Sequence, residues 1–206
     1  MRIFQLITIL ITTLILISCK KITFEDIDGN SYNAKKIGKL IWATKNLEVK
    51  KYRNGDIIPQ VQDPNEWALL TSGAWCYYEN DSSKGVLYNW YAVNDIRGLA
   101  PLGWHIPCND EWANLINHLG GEDVAVEKLK STSGWSDNGT NSSGFSAYPG
   151  GSRGFNGTFY GFGISGYWWS SSEFNSDRSW YQGLDNYYFN NYTIKGDALS
   201  IRCVKD

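Results

Sequence analysis

With 206 residues, and 19 Lys and Arg against 21 Asp and Glu for a formal charge of −2, the chain has the length of one domain. It lacks the concentrated positive charge that nucleic-acid binding needs, so no nucleic-acid partner is expected. Aromatic residues make up 15% of it, with 10 Trp and 13 Tyr, which supplies apolar surface for a packed core and excludes a disordered chain.

The N-terminus reads Met1-Arg2, a run from Ile3 to Ile17 that is apolar and hydroxyl apart from Gln5, then Ser18-Cys19-Lys20-Lys21. A positive start, an apolar core and a small residue before a cleavage point are the parts of an export signal. The run is shorter than the roughly 20 residues that cross a bilayer as a helix. Leu16-Ile17-Ser18-Cys19 resembles the bacterial lipobox. That resemblance implies a signal peptide over residues 1–18, lipid on Cys19, a short tether over 19–25 and a domain over 26–206. One acyl chain holds a membrane only marginally, whereas the multiply acylated cysteine implied here would hold it firmly. The expected location is the bacterial cell envelope, anchored through Cys19; Lys20 and Lys21 leave the membrane face undecided.

Export would put Cys76, Cys108 and Cys203 in an oxidising compartment, where disulfides persist. Their spacing matches no zinc pattern, and the chain has 2 His to serve as nitrogen ligands. Cys76 and Cys203 sit in apolar, strand-like settings (Ala74-Trp75-Cys76-Tyr77 and Ile201-Arg202-Cys203-Val204), which favours them as a pair over Cys108. Three unpaired buried thiols is an equal alternative.

From Ile22 to Leu47 the turn signals Asp28-Gly29-Asn30 and Gly38-Lys39 separate short runs, which predicts a three-stranded meander. Asn54-Gly55 signals a further hairpin, and Pro59 to Lys84 reads as loop with short strands. After His105-Ile106-Pro107, the positions Trp112, Leu115, Ile116 and Leu119 fall on one face of a helix. Asp110 and Glu111 suit its first turn, Gly120-Gly121 ends it, and Asn109 is the better cap beside Cys108. A second helix is predicted over Asp123 to Lys130, with Val126 and Leu129 inward. From Trp135 to Cys203 the chain reads as loops and short strands rich in Gly, Asn and aromatics. Its glycines permit turns and are not a phosphate loop, since no Gly-Lys-Ser/Thr closes them. Leu199 to Val204 alternates and reads as a terminal strand.

The segments Asp26-Ile27-Asp28-Gly29-Asn30, Trp42 with Asn46-Leu47, Leu87-Tyr88-Asn89-Trp90-Tyr91-Ala92, Pro101-Leu102-Gly103-Trp104-His105-Ile106-Pro107, Asp110-Glu111-Trp112, Gly144-Phe145-Ser146-Ala147, Trp168-Trp169-Ser170-Ser171 and Ile201-Arg202-Cys203-Val204 follow one another in an order that resembles the Fibrobacter succinogenes major paralogous domain. That family is similar in fold to C-type lectins and to sulfatase-modifying enzymes. The resemblance implies an α+β, C-type-lectin-like fold: two short helices flanking a twisted, mostly antiparallel sheet with long Gly-, Asn- and aromatic-rich loops. Cys108 departs from the family, which carries a serine or threonine cap there.

Each relative's chemistry can be tested on the residues. Calcium-dependent sugar binding needs a Glu-Pro-Asn or Gln-Pro-Asp loop, because a hard cation takes clustered oxygens; neither is present. No cofactor or metal is expected, with calcium on Asp137, Asn138 and Asn141 as the less favoured alternative to plain Asx turns. The modifying enzymes need a reactive cysteine pair near the C-terminus, where this chain has Cys203 alone. His105 and His118 read as structural, and no carboxylate pair is marked for glycosidic cleavage. No catalysis is expected. Stacking on sugar rings needs aromatic faces beside polar groups, and the C-terminal part offers Trp168, Trp169, Trp180, Tyr181, Tyr187 and Tyr188 among Asn, Asp and Ser. Of the adjacent Trp168 and Trp169, one is expected inside and one outside. Trp42, Trp104 and Trp112 are assigned to the core. The function expected is polysaccharide binding or adhesion in the cell envelope, with binding of an envelope protein as the alternative, because the same aromatic residues dominate protein interfaces.

Overall fold

The computed structural model describes residues 21–206; the expected export signal and the expected lipid site at Cys19 lie outside them. Among the described residues the elements are β1 (Ile22–Glu25), β2 (Ser31–Ile37), β3 (Leu40–Ala43), α1 (Pro64–Ala68), β4 (Trp75–Tyr77), β5 (Val86–Asn89), α2 (Trp90–Val93), β6 (Trp104–His105), α3 (Asn109–His118), α4 (Glu122–Leu129), β7 (Ser152–Arg153), β8 (Phe159–Tyr160), β9 (Gly166–Glu173), β10 (Arg178–Leu184), β11 (Tyr188–Ile194), β12 (Ala198–Leu199) and β13 (Val204–Lys205). The protein is α+β and mostly β. Its strands form not one sheet but three, in the orders β1-β2-β3-β13-β6, β4-β5-β12-β7-β8 and β11-β10-β9. Every pairing of named strands is antiparallel. No described helix is long and apolar enough to cross a membrane.

The predicted meander is present as β1 to β3. Its first turn is built around the buried Asp26 carboxylate. Oδ1 accepts the backbone N–H groups of Asp28 and Asn30 at 3.0 Å, and Oδ2 accepts the Asn30 side-chain amide at 2.8 Å and the Tyr32 hydroxyl at 2.6 Å. The Tyr32 oxygen in turn accepts the Glu48 N–H at 3.0 Å, which ties the turn to the chain after β3. The hairpin expected at Asn54-Gly55 reduces to a single bridge, Lys51 with Ile57.

α3 buries the predicted face of Trp112, Leu115 and Ile116. Its N-cap is Cys108, not Asn109: Glu111, three residues on, reaches back so that its Oε2 accepts the Cys108 N–H at 2.9 Å, the acid's half of a capping box. Asn109 serves elsewhere, its N–H bonding Ser172 Oγ at 3.1 Å and its side-chain oxygen accepting from Gln182 at 3.2 Å. Helix α4 buries Val126 and Leu129 as expected.

The buried side chains form separate cores. The first contains Tyr32, Trp90, Trp104, Trp169 and Ile201, the second Trp42, Trp112, Phe145, Trp168 and Val204 beneath α3 and α4, and a third Trp67, Cys76, Leu87 and Ala198. Strand β9 runs between the first two. Trp168 and Trp169 point to opposite faces as a strand requires, yet both are buried, at 2% and 0% exposure, because each face of β9 has its own core. Trp42, Trp104 and Trp112 are buried as assigned.

The C-terminal segment is not one strand. β12 pairs with β5 and β7, β13 pairs with β3 and β6, and between them Ser200, Ile201 and Cys203 bond Tyr167, Trp169, Leu47 and Ala43. All of 198–204 is buried. This stretch crosses from one sheet to another past the edge of β9, so every residue is inside whichever way it faces.

Candidate functional site

The predicted aromatic site does not assemble. Trp168, Trp169 and Tyr188 are buried, and their polar atoms are spent internally: Trp168 Nε1 donates to Asn46 Oδ1 at 2.9 Å, Trp169 Nε1 to the Tyr88 carbonyl at 2.8 Å, and the Tyr188 hydroxyl to Gln182. Trp180 and Tyr181 are half-buried neighbours on β10 and so face opposite ways. Trp180 packs edge-on against Phe174 and Tyr192, which stack at 3.9 Å. Tyr181 joins Tyr167 and Phe189, with the 62% exposed Tyr187 beyond them. The six residues divide among two cores and two outer faces.

The expected Cys76–Cys203 disulfide is also corrected. Cys76, Cys108 and Cys203 are free. Cys76 belongs to the third core and Cys203 to the first, and burial pushes their thiols up to about 11 and about 12. Similar strand-like surroundings in sequence were two different interiors in space.

The Asx residues offered as calcium ligands act in turns. Asn138 Oδ1 accepts the Trp135 N–H at 3.0 Å, and Asn141 holds Ser146 by two bonds of 2.9 Å. Among the described residues no three His, Cys, Asp or Glu side chains group as a metal site would. Both ring nitrogens of His105 are engaged, Nε2 with Glu111 Oε1 at 2.9 Å and Nδ1 with Asp206 Oδ1 at 2.6 Å. Burial alone would lower its pKa, but the two carboxylates outweigh that and raise it. His118 lies against Gly38, where an added Cβ would come within 3.1 Å of the ring, a tight contact.

The surface feature that combines depth with hydrogen-bonding groups is a polar groove assembled from loops. It consists of two adjoining cavities. The first, about 320 Å³, is lined by Lys45, Asn46, Lys84, Ser131, Tyr148 and Arg202 among others. The second, about 300 Å³, is lined by Asp28, Asn30, Lys50, Tyr77 and Ser82. Glu48, Gly85 and Val86 line both. Gly85 has φ 83° and ψ 178°, a conformation that other residues essentially never take, and a Cβ there would meet no atom within 4 Å. The backbone geometry at the junction demands glycine.

Each wall follows from local structure. The Asp26-clamped turn delivers Asp28 and Asn30. Asp28 then accepts the Lys50 N–H at 2.6 Å and pairs with Lys51 at 3.0 Å; burial opposes the charge, but these partners hold the carboxyl below the usual range. The Lys50 ammonium lies 5.4 Å from the Trp75 ring and 5.6 Å from that of Tyr77, and Tyr77 is the main cause of its raised pKa. At the other end Asn46 takes hydrogen bonds from both Trp168 and Arg202. Sequence reasoning placed Asn46 and Arg202 in structural motifs and passed over the groove. An arginine within an apolar, strand-like run was the available signal.

No curated protein and no solved structure matches the chain. The family match begins inside β2, so the Asp26 to Asn30 turn lies outside it although the structure joins that turn to the rest. Residues 36–205 match the Fibrobacter succinogenes major domain, and the chain belongs to that family.

Proposed function

We propose that the protein is a non-catalytic lipoprotein of the bacterial cell envelope, anchored through lipid on Cys19, whose groove binds a polysaccharide. The observation that carries this reading is the groove itself. Two cavities joined at Glu48, Gly85 and Val86 offer hydroxyl, amide and charged groups along one path, with Tyr77 in one and Tyr148 in the other. An extended sugar chain presents alternating hydroxyl edges and apolar ring faces, which these groups and rings complement. A C-type-lectin-like arrangement is the finer fold we propose, with binding through loops and without calcium. The non-catalytic reading is supported by the engagement of the reactive groups elsewhere, in the His105 pairings and the buried thiols of Cys76 and Cys203.

A glycan array probed with and without chelator tests the reading. Tyr77→Ala and Tyr148→Ala should each lose binding while Trp180→Ala keeps it. Binding lost in the Trp180 variant alone would move the site to the β9–β11 sheet. The alternative, docking of an envelope protein, is favoured by one feature: β11 is a sheet edge with no charged residue in Tyr188–Ile194, and uncharged edges invite another strand.

A further inference from the structure

Charge pairing along the groove points to the kind of sugar. The carboxylates that line it are already matched: Glu48 is held by Lys45 at 2.7 Å and Asp28 by Lys51 at 3.0 Å. Lys84 is likewise paired, with Glu79 at 2.8 Å. Two cations are left over, one in each cavity. Among the described residues neither Arg202 nor Lys50 has a carboxylate within ion-pair distance.

Arg202 is the more telling. It is fully buried at the floor of the first cavity. Its guanidinium donates to the carbonyls of Ala43 at 2.9 Å, Phe145 at 2.7 Å and Ser146 at 3.4 Å, and to Asn46 Oδ1 at 2.8 Å. All four acceptors are neutral, and Nε has no partner at all. A buried charge without a counter-charge is costly, and burial accordingly pulls the Arg202 pKa down to about 9. Arg153 is an internal comparison. It too is buried among neutral acceptors, but it lines neither cavity and its Nε is satisfied: Nε, Nη1 and Nη2 each reach a carbonyl, at 3.2, 2.8 and 2.8 Å. The wall over Arg202 is also held under strain. Ser146 has φ 57° and Asn141, which clamps it, φ 49°, and non-glycine residues occupy that region at a cost, most often where function requires it.

We infer that the groove takes an acidic polysaccharide, one sugar carboxylate lying in the first cavity beside Asn46 and Ser146, close enough to feel the buried Arg202 charge without touching it, and another reaching Lys50. This rests on the glycan reading of the groove and narrows it to polymers of uronic acids. A carboxylate close to Arg202 supplies the counter-charge that the fold omits, across a wall of low dielectric where the attraction is strong. At the other end Lys50, exposed beside Tyr77, forms a charge-assisted bond to a carboxylate further along the same chain.

The test is calorimetric titration of the full chain with a short oligogalacturonate, with the same oligomer methyl-esterified, and with inorganic phosphate. The acid should bind at least about ten-fold tighter than its ester, and Lys50→Ala should weaken the acid on the order of ten-fold, as loss of one charge-assisted bond implies. Lys50 is exposed, so that variant should keep the parent melting temperature. The advantage of the acid should also shrink as salt is raised. Equal binding of acid and ester, abolished by Tyr77→Ala, would overturn the acidic preference and leave the glycan groove standing. Phosphate competing as well as the oligomer would show an anion site and overturn the polymer. Binding of neither oligomer would overturn both readings.

Discussion

The Asp26 clamp offers a prediction whose size can be worked from the structure. Asp26→Ala removes four hydrogen bonds at once. The two backbone N–H groups of the turn are partly exposed, and water replaces much of what they lose. Tyr32 is 1% exposed, so its hydroxyl proton is left without an acceptor in the first core, at about 1–3 kcal/mol. With the smaller losses at the turn, the total comes to about 3 kcal/mol. For a domain of this length about 2–4 °C of melting temperature goes with each kcal/mol, so a fall of roughly 6–12 °C is expected by calorimetry. Asp26→Asn keeps an oxygen for the backbone groups but faces Tyr32 and Asn30 with a donor, and should lie between the two. In the double-mutant cycle Tyr32→Phe with Asp26→Ala, the loss should fall well short of the sum of the singles, because phenylalanine leaves no hydroxyl to strand. An alanine variant melting within about 2 °C of the parent, or strictly additive losses, would refute the clamp as a source of stability.

Three further outcomes follow from other parts of the molecule. His105 has a raised pKa in the fold, so the stability it contributes is fully present below its unfolded pKa and is lost as pH rises through the folded value. Above pH 6, His105→Asn should flatten the fall in urea midpoint that the parent shows, and an unchanged slope would mean that the carboxylate pairing does not persist in solution. Cys108 is half-buried while Cys76 and Cys203 are enclosed, so peptide mapping after alkylation of the native protein should find Cys108 labelled first and the other two only after unfolding. Recovery of a peptide linking Cys76 to Cys203 would contradict the two-core arrangement. Gly139→Ala should destabilise the fold measurably, since the added carbon would lie 2.6 Å from the Glu127 carbonyl and 2.8 Å from that of Lys130, atoms of the main chain that cannot step aside.

What the sequence revealed depended on whether the cause was local. The meander and both longer helices were legible because turn glycines and a 3.6-residue apolar period act within a few positions. The short helix α1, capped by Asp63, which accepts the Asn65 and Glu66 N–H groups, had the same kind of local signal and was missed in a stretch read as loop. The fates of Trp168 and Trp169 were not legible. Alternation tells which face a side chain takes, and only the tertiary arrangement tells that both faces are covered. The thiols failed for the same reason, since apolar neighbours identify an interior without saying which one. The groove was the least legible, as its lining comes from segments near positions 28, 46, 77, 84, 131, 148 and 202, which share no period and of which those at 28, 46 and 202 belong to motifs that read as structural.

The position of β9 accounts for why the groove is made of such pieces. A strand with a core on each side commits its aromatic residues to packing, and the indole nitrogens of Trp168, Trp169 and Trp90 are bonded to Asn46, Tyr88 and Ser170. Large rings that in an open sheet could meet a ligand here join one sheet to the next. The surface left for binding is made of turns, where side chains can change without disturbing either core. The family resemblance rests on motifs such as Trp168-Trp169 and Ile201-Arg202-Cys203, which are internal. It therefore identifies the scaffold and leaves function to be argued from the surface loops. Arg202 connects the two, since it belongs to the internal motif and also forms the floor of the groove, and Asn46 and Ser146 beside it do the same. On the proposed reading, a relative that keeps this arginine without an internal carboxylate partner should prefer anionic sugars even where its loops differ. One that has acquired an acid beside it should bind neutral chains as well as acidic ones in the same titration.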